Sequence, residues 1–336
     1  MSMHVLVTGG AGYIGSTAAA ALIHNGYRVT VFDNLSRGHR AAVPLEADFV
    51  QGDLGDRAAL DTLFQMGKFD AVMHFAALAE AGESMQKIGL YFRNNVTGSQ
   101  ILLDTMIAHD VKRLIFSSTA AVYGSKDSLI HEDDPHEPAS VYGESKLMTE
   151  RMVRWYHQRE GLRYCILRYF NACGAMLDEH GRAVRGEAHQ PETHLIPLTL
   201  QVALGQRPHV SIFGTDYPTP DGTCIRDYVH VEDLARAHIL ALEALDERAA
   251  MTYNLGNGQG YSVREVIQVA REVTGHPIPA VEAPRRPGDG PILVASAERI
   301  SRELGWQPRY PKLHDIIASA WAWHRAHPQG YAEQGI

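Results

Sequence analysis

A glycine-rich turn directly after the first strand pattern constrains the fold of this chain more than any other feature. The segment runs Thr8-Gly-Gly-Ala-Gly-Tyr-Ile-Gly15, so that Gly9, Gly12 and Gly15 follow a G-x-x-G-x-x-G spacing. A turn this tight needs residues without a Cβ, and the helix that follows offers N–H groups and the positive end of its dipole. A strand, a glycine turn and a helix in this order predict a site for the pyrophosphate of a dinucleotide.

Short apolar runs alternate with longer amphipathic stretches through the first half of the chain. This alternation predicts a parallel sheet covered by helices. After Asn171 this alternation stops, and polar loops over 180–193, 216–223 and 283–291 separate further helices. The predicted strands cover 4–8, 28–32, 71–75, 113–117 and 163–168, and the predicted helices cover 12–25, 57–64, 91–109, 143–160, 197–204, 231–245, 263–274 and 314–324.

The order of these elements predicts an α/β fold. We expect a Rossmann doubly wound parallel sheet with helices on both faces, together with a smaller C-terminal α+β domain for the substrate. The expected nucleotide-binding domain covers residues 1–175 plus about 224–250, and the expected substrate domain covers 176–223 and 251–336.

An acidic residue ends the second strand pattern. Asp33 lies 18 residues beyond Gly15, where a carboxylate can bind the ribose hydroxyls of adenosine. A carboxylate repels a 2′-phosphate, so this residue favours NAD over NADP, although the nearby Arg37 softens the preference. Asp53 is a candidate partner of the adenine amino group, and an ordinary Gly-Asp turn is the alternative interpretation.

A tyrosine and a lysine four residues apart supply a candidate for acid–base chemistry. Tyr142 and Lys146 share one face of a predicted helix, and an ammonium group beside a phenol is expected to lower the phenol pKa. Thr119 ends a strand pattern, where its hydroxyl could share a substrate hydrogen bond with Tyr142. Capping of the strand end is the alternative role for Thr119.

Composition excludes several classes of protein. The net charge of −8, without a dense Lys/Arg cluster, argues against nucleic acid as a partner. The three cysteines form no C-x-x-C pair, and neither a signal peptide nor an apolar run of the ~18–20 residues in a membrane span is present. We therefore expect a cytoplasmic protein with no membrane partner. The 18 histidines include no H-E-x-x-H spacing, so we expect no metal site.

With these motifs the chain resembles the extended short-chain dehydrogenases/reductases and, among them, the UDP-glucose 4-epimerase family over nearly its whole length. The glycine and Tyr/Lys motifs are common to the superfamily, whereas motifs of the second half point to a nucleotide sugar. The resembling segments are 8–15, 31–35, 74–77, 82–84, 94–96, 117–124, 142–146, 167–171, 213–214, 216–218, 221–223, 226–230, 253–256, 285–289 and 323–331.

The resemblance implies roles at matching positions, with Thr119, Tyr142 and Lys146 in catalysis. Residues implied to hold tightly bound NAD are Gly9, Gly12, Tyr13, Ile14, Gly15, Asp33, Asn34, Asp53, Leu54, Phe75, Ala76, Ala77, Asn95, Ser117, Tyr142, Lys146 and Tyr169. Residues implied to hold the UDP-sugar are Thr119, Tyr142, Asn171, His194, Leu195, Phe213, Arg226, Tyr228, Arg286, Asp289 and Leu293. Arginine forks suit phosphate oxygens, and Leu293 would limit the group on C2 of the sugar.

The implied reaction is the 4-epimerisation of a UDP-sugar, UDP-glucose or UDP-galactose, in galactose metabolism. Tyr142 would take the 4-hydroxyl proton while NAD oxidises C4, and a transient 4-keto sugar would turn about its link to UDP. The resemblance also implies a homodimer that pairs the predicted helices 91–109 and 143–160, the second of which carries Met148, Met152, Trp155 and Tyr156.

Several alternatives remain open at this stage. The sugar could be an N-acetylhexosamine, a pentose or a uronate. A dehydratase or decarboxylase starts with the same oxidation, but those relatives carry an acid where this chain has Ala120 and Ala121. A non-enzymatic NAD sensor would be expected to lack the Tyr/Lys pair. Arg226 could instead pair internally with Asp227, and Arg286 could lie in a solvated loop.

Overall fold

The computed structural model describes residues 2–126, 128–286 and 289–331. In chain order its strands are β1 His4–Thr8, β2 Arg28–Asp33, β3 Asp48–Gln51, β4 Ala71–His74, β5 Arg113–Thr119, β6 Arg163–Tyr169, β7 Asn171–Cys173, β8 Met176–Leu177, β9 Ala183–Arg185, β10 Val210–Phe213, β11 Ile225–His230, β12 Ala250–Leu255, β13 Gly260–Ser262, β14 Ala280–Ala283 and β15 Ile292–Leu293. Its α-helices are α1 Tyr13–His24, α2 Arg57–Gly67, α3 Ala81–Ser84, α4 Ile88–Tyr91, α5 Gly98–Ala108, α6 Val141–Glu160, α7 Leu195–Ala203, α8 Val231–Ala244, α9 Val263–Thr274, α10 Glu298–Leu304 and α11 Leu313–Ala326.

A seven-stranded sheet has the strand order β3-β2-β1-β4-β5-β6-β12. β1 pairs in parallel with β2 on one side and with β4 on the other. The strand order reverses between β1 and β4, and ligands of Rossmann folds bind beyond the carboxyl ends of the strands at such a reversal. Every residue of β1 is buried, as expected where helices cover both faces of a sheet. The predicted doubly wound α/β fold is confirmed.

The contacts divide the described residues into two compact units. The first lies within Met1–Gly124, Pro135–Arg168 and Ala235–Tyr253, and the second within Ser125–Asp134, Tyr169–Leu234 and Asn254–Ile336. The described residues of 125–134, together with 169–175 and 224–234, were predicted for the nucleotide-binding domain but lie in the second unit, whereas 251–253, predicted for the substrate domain, lie in the first. For the residues of β7 and β11 the reason is that β11 pairs there with β7, β13 and β15.

One predicted helix of the first unit is irregular. Instead of one α-helix over 91–109, the chain forms α4, a π-helical stretch Phe92–Thr97 and then α5. Asn95 lies buried in this stretch, where its amide accepts a hydrogen bond from Leu78 N at 2.9 Å and donates one to Leu78 O at 3.0 Å. Single π turns are frequent at functional sites because they redirect one side chain out of the regular helical rows.

Helices α7, α9 and α11 enclose the core of the second unit, whose fully buried members include Leu200, Val266 and Ile316. Helix α9 has the predicted bounds, 263–274. A capping box between Ser262 and Glu265 starts this helix, and Gly275 in the left-handed conformation ends it.

The loop predicted over 180–193 contains the short strand β9, which pairs with β8. None of the helices in the described part of the chain combines the length and apolar character needed to cross a bilayer.

Candidate active site

The glycine turn is packed so closely that side chains cannot replace Gly9 or Gly15. Gly9 has a φ of +73°, and a Cβ there would lie 2.4 Å from Ala76 N. A Cβ on Gly15 would lie 2.3 Å from Gly9 O, whereas one on Gly12 would meet only Gly9 O, at 3.3 Å. Gly12 is the N-cap residue of α1, and because it has no side chain it makes no capping hydrogen bond to the N–H groups of the first turn. The first turn of α1, with Tyr13 and Ile14, therefore presents a compact backbone cradle that suits a phosphate group.

Replacing Gly15 by alanine should lower the free energy of unfolding by about 1–3 kcal/mol, the usual cost of forcing extra volume into a packed site. The matched control is Gly89→Ala in α4, because a Cβ on Gly89 meets no atom within 4 Å. The control should be neutral or stabilising by up to about 1 kcal/mol. Urea unfolding of both variants tests this, and equal effects would contradict the argument.

Asp33 organises the backbone at the end of β2. Its carboxylate accepts hydrogen bonds from Ala11 N at 3.0 Å and Leu35 N at 2.8 Å. Burial raises the pKa of Asp33 against the lowering effect of these two bonds. Arg37, expected to soften the preference for NAD, donates instead to both carboxylate oxygens of Glu83, at 2.9 and 3.0 Å.

Other predicted cofactor residues surround the same end of the sheet. Asn34 donates to Asp53 Oδ2 at 2.6 Å, and Leu54 is buried in the core of this unit. Phe75 N and Ala76 N both donate to Thr8 O, which holds the segment leading to Ala77 beside the glycine turn.

A buried chain of hydrogen bonds leads from the first strand to helix α6. Thr8 Oγ1 lies 2.7 Å from His74 Nδ1, and His74 Nε2 lies 2.8 Å from Ser99 Oγ. Asn95 Nδ2 donates to Ser145 Oγ at 3.0 Å, and Ser145 Oγ donates to Tyr142 O at 2.7 Å. Burial lowers the pKa of His74 to about 3, so this imidazole is neutral at physiological pH. These contacts fix the register of α6 against the sheet.

Three predicted catalytic residues meet at the carboxyl end of β5. The Thr119 side chain lies beside the Tyr142 hydroxyl group, where it favours the phenolate, and Lys146 Nζ donates to Ser117 O at 2.8 Å. Thr119 Oγ1 accepts a hydrogen bond from Ala121 N at 3.1 Å. Close approach of α6 depends on Gly143, since a Cβ there would lie 2.2 Å from Ala121 O. Tyr142 N also donates to Ser84 Oγ at 3.1 Å.

The pKa of Tyr142 differs from the lowered value that the sequence predicted. Burial raises the pKa of Tyr142 to about 12, although the Thr119 hydrogen bond lowers it. Burial also lowers the pKa of Lys146 to about 7, with Glu150 opposing this shift. The expected lowering of the phenol pKa is therefore wrong for the protein without cofactor, because burial of the phenol outweighs the effect of Thr119. The Lys146 ammonium group is bonded to Ser117 O.

A buried ion pair that the sequence did not predict joins helix α6 to the sheet. Arg168 donates to both carboxylate oxygens of Glu150, at 2.8 and 2.6 Å, and to Tyr123 Oη at 2.6 Å. Ser118 Oγ donates to Glu150 Oε1 at 2.6 Å. Burial alone would raise the pKa of Glu150, but the Arg168 guanidinium holds it below its usual value. The pair joins β5, β6 and α6 one helical turn after Lys146.

In the second unit, two arginines predicted to hold phosphate have partners close by. Arg226 Nη2 lies 3.4 Å from Asp289 Oδ1, and the guanidinium carbon of Arg286 lies 3.9 Å from the Phe213 ring centroid. Leu293 pairs in register with Arg226 across β15 and β11. The structure thus brings Arg226, Asp289 and Leu293 together, and separately Arg286 and Phe213.

Asp227 is not the partner of Arg226. It is buried, and its carboxylate accepts hydrogen bonds from Asn257 N, Gly258 N and Ala295 N at 2.8 to 3.2 Å. Burial raises its pKa to about 7 despite these bonds. Tyr228 and Asn171 face each other in register on β11 and β7, and Asn171 Nδ2 donates to Asp227 O at 2.9 Å. Tyr169 is buried at the end of β6.

His194 has an environment that the sequence analysis did not foresee. Its Nδ1 lies 2.7 Å from Glu187 Oε1 and 3.1 Å from Glu192 Oε1. Burial alone would lower the pKa of His194, but the two carboxylates raise it well above its usual value. The imidazole is thus engaged within its own loop, while Leu195 begins helix α7 immediately after it.

The chain belongs to the NAD-dependent epimerase/dehydratase family, whose sequence profile matches residues 5–256. It is 52% identical over 334 residues to the UDP-glucose 4-epimerase of Halalkalibacterium halodurans, covering 99% of this chain and 98% of that protein. The Brucella ovis UDP-glucose 4-epimerase crystallised with NAD is 45% identical, with a TM-score of 0.91 and coverage of 95% and 98%. The Stenotrophomonas maltophila enzyme, with bound NAD and formylated UDP-arabinopyranose, is 41% identical, with a TM-score of 0.92 and coverage of 97% and 99%.

Proposed function

We propose that this protein catalyses the NAD-dependent 4-epimerisation of a UDP-sugar, with UDP-glucose and UDP-galactose as its first substrates. The observation that carries this proposal is the grouping of Thr119, Tyr142 and Lys146, with Lys146 one turn beyond Tyr142 on α6 and its Nζ bonded to Ser117 O at the end of β5. This group sits at the carboxyl end of β5, in a chain with full-length relatives that are named UDP-glucose 4-epimerases. Such a group can exchange a proton with a sugar hydroxyl.

The residues of the glycine turn fit a dinucleotide, since the cradle at Gly12 has space that a Cβ would fill. Gly9, Gly12, Tyr13, Ile14 and Gly15 would hold the pyrophosphate, with Asp33 on the ribose. The remaining residues proposed to contact the cofactor are Asn34, Asp53, Leu54, Phe75, Ala76, Ala77, Asn95, Ser117 and Tyr169. When bound, NAD supplies the reversible two-electron oxidation of the sugar at C4.

Tyr142 would accept the proton of the 4-hydroxyl group and later return it, while Thr119 shares that hydrogen bond. A phenol with a pKa of about 12 is a poor base at neutral pH. A positive charge near the ring lowers that value, and both a protonated Lys146 and the oxidised cofactor carry one. Lys146, with a pKa of about 7, keeps part of its charge at neutral pH.

The second unit would anchor the UDP group, so that the 4-keto sugar can present its other face without leaving the protein. Arg226 and Arg286 provide forked donors for the diphosphate, and Asp289 suits the uridine ribose. The other residues proposed for UDP are Asn171, His194, Leu195, Phe213 and Tyr228. Leu293, paired with Arg226, would limit the size of the group on the sugar C2.

A UDP-pentose is the second candidate substrate, and the UDP-arabinopyranose derivative bound to the Stenotrophomonas maltophila relative favours it. A dehydratase is not favoured, because Ala120 and Ala121 follow Thr119 and provide no acid there.

The test is to follow UDP-galactose by proton NMR with the purified protein, first without and then with added NAD. Growth of UDP-glucose anomeric signals without added cofactor would support epimerisation with retained NAD. If no UDP-glucose signals grow under either condition, UDP-galactose is not a substrate. The same experiment with UDP-arabinopyranose would then decide for or against the pentose.

Asp33→Asn should weaken NAD binding by ~10–100-fold, the value of hydrogen bonds to a charged group. It should also narrow the difference in affinity between NAD and NADP, because the repulsion of a 2′-phosphate is lost. Calorimetric titration of cofactor-stripped protein measures both effects. Asp48→Asn is the matched control, since Asp48 is an exposed acid on the neighbouring β3 that pairs only with Arg28 in the described contacts. Equal affinities of the two variants would contradict the role of Asp33.

The exposed face of α6 supports a homodimer. Met148 and Trp155 are seven residues apart, and their exposed fractions are 37% and 59%. Met152 and Tyr156 pack inward against the core of the first unit. Trp155→Glu should convert the dimer to a monomer in light scattering, whereas Met66→Glu, at an exposed methionine of α2, should not.

We place this function in the cytoplasm because the three cysteines are buried and free, as expected in a reducing compartment. We place it in galactose metabolism because of the substrates of the family.

A further inference from the structure

Four side chains of one loop in the second unit direct nitrogen and oxygen atoms to a common point. Glu187, His189, Glu192 and His194 each offer one ligand atom, and these atoms all lie within 4.8 Å of one another. In the portions of the chain that the structure describes, no other group of three or more histidine, cysteine or acidic side chains converges in this way. The spacing, E-x-H-x-x-E-x-H, differs from the H-E-x-x-H pattern sought in the sequence.

The separations between these atoms suit a tetrahedral ion. His194 Nδ1 lies 2.7 Å from Glu187 Oε1 and 3.1 Å from Glu192 Oε1, and His189 Nδ1 lies 3.0 Å from Glu187 Oε1 and 3.9 Å from Glu192 Oε2. Ligand atoms about 2.0–2.1 Å from a tetrahedral zinc ion are about 3.3–3.4 Å from one another. Three of the four distances are shorter than that value and one is longer, and Glu192 enters with Oε1 in one distance and Oε2 in another. An ion would therefore replace the protons shared between imidazole and carboxylate and move these side chains slightly apart.

The charge and chemical type of the ligands also suit zinc. Without an ion, the carboxylates favour protonated imidazoles, which compensate the buried Glu187, 4% exposed. An ion that displaces these protons would meet two carboxylates and two neutral imidazoles, whose charge of two negative units one divalent cation cancels. Imidazole nitrogen and carboxylate oxygen are both common ligands of zinc, and a closed set of four protein ligands is typical of structural sites.

Neighbouring groups hold the backbone of this loop in place. Trp323 Nε1 donates to Glu187 O at 3.0 Å, and Gly186 N donates to Tyr331 Oη at 3.1 Å. Thr193 N donates to Glu192 Oε1 at 2.7 Å, which orients that carboxylate. Hydrogen bonds of this kind around a metal site orient the ligands and raise affinity.

We propose that Glu187, His189, Glu192 and His194 bind one zinc ion in a structural site that fixes the loop before helix α7. The site differs in position and chemistry from the catalytic group of the first unit, and it does not depend on the proposed reaction. Its effect is to hold His194 and Leu195, and hence the start of α7, in one conformation.

The experiment uses the full chain with a non-histidine affinity tag, treated with EDTA, re-equilibrated with zinc and desalted. Wild-type protein should retain one zinc ion per chain by elemental analysis, and zinc should raise its Tm. Glu192→Gln and His189→Gln should each weaken zinc binding by more than ~100-fold, exceeding the loss typical of removing a supporting residue. His180→Gln is the matched control, because His180 is an exposed histidine nearby whose described ion pair is with Glu179.

Cobalt substitution provides a readout that does not depend on stability, because tetrahedral cobalt with nitrogen and oxygen ligands absorbs visible light. The wild type and His180→Gln should give this spectrum, and the two ligand variants should not. If the wild type retains no zinc, or if the ligand variants retain as much as the wild type, the proposal is wrong. The four side chains would then form only a hydrogen-bonded His–Glu network.

Discussion

Tyr142→Phe should lower kcat for 4-epimerisation by about 10²–10⁴-fold, the usual contribution of a positioned acid–base group. The substitution removes only the hydroxyl that Thr119 contacts, while the ring can keep its place in the buried site. The affinities for NAD and for UDP should change little, because neither the glycine turn nor the second unit is altered. The measurement is the rate of UDP-galactose conversion at saturating substrate, with UDP binding measured separately by calorimetry.

Tyr156→Phe is the matched control for this experiment. Tyr156 lies on the same helix, and its hydroxyl group donates to Asp104 Oδ1 rather than to Thr119. Its loss should leave kcat within about twofold of the wild type, as for a residue outside the reacting group. An equal fall of kcat in both variants would mean that disturbance of α6, rather than loss of a proton carrier, explains the result.

Glu150→Gln should be the most destabilising substitution that keeps the volume of the wild-type residue. Removing one partner of a buried ion pair typically costs about 3–5 kcal/mol, because the other charge stays buried without compensation. Here that charge is the guanidinium of Arg168, of which only 1% is exposed. Urea unfolding at constant NAD concentration measures the loss. It should be accompanied by a lower kcat, since Glu150 opposes the fall in the Lys146 pKa.

Two further variants separate charge from packing. Arg154→Gln removes a half-exposed cation that lies 3.1 Å from Glu150 Oε2, and should cost less than about 1 kcal/mol. The double substitution Glu150→Gln with Arg168→Met should regain much of the stability lost in Glu150→Gln, because no uncompensated charge remains. A double variant less stable than Glu150→Gln would contradict this explanation.

The sequence was most informative where one local pattern determines one local structure. The glycine turn, the acid at Asp33 and the spacing of Tyr142 and Lys146 each act within a few residues, and the parallel sheet follows from alternating strands and helices. Strands β7, β8, β13 and β15 have only two or three residues, so they show no periodicity that predicts them. β7, β13 and β15 pair with β11, which lies far from them in the chain, whereas β8 pairs with the nearby β9.

The missed functional groups have a similar explanation. Glu150 and Arg168 are 18 residues apart on a helix and a strand, so only the packing of α6 against the sheet reveals the pair. Both ordinarily count as surface residues in a sequence. The Tyr142 pKa was misjudged for the same reason, because the burial of its phenol and the bond of Lys146 to Ser117 O depend on tertiary contacts.

The packing of Gly9 against Ala76 has a consequence for how a nucleotide is received. A turn held by Phe32 O and by the backbone beyond β4 is already in one conformation before any ligand arrives. Little conformational entropy is then lost on binding, so ordering of the loop does not reduce the binding free energy. Amide protons of Gly9, Ala11 and Gly12, which donate to Phe32 O, Asp33 Oδ2 and Gly9 O, should therefore exchange slowly with deuterium in cofactor-stripped protein, and nearly as slowly as in the loaded form. Dissociation would then be governed by the contacts with the nucleotide itself rather than by opening of this turn.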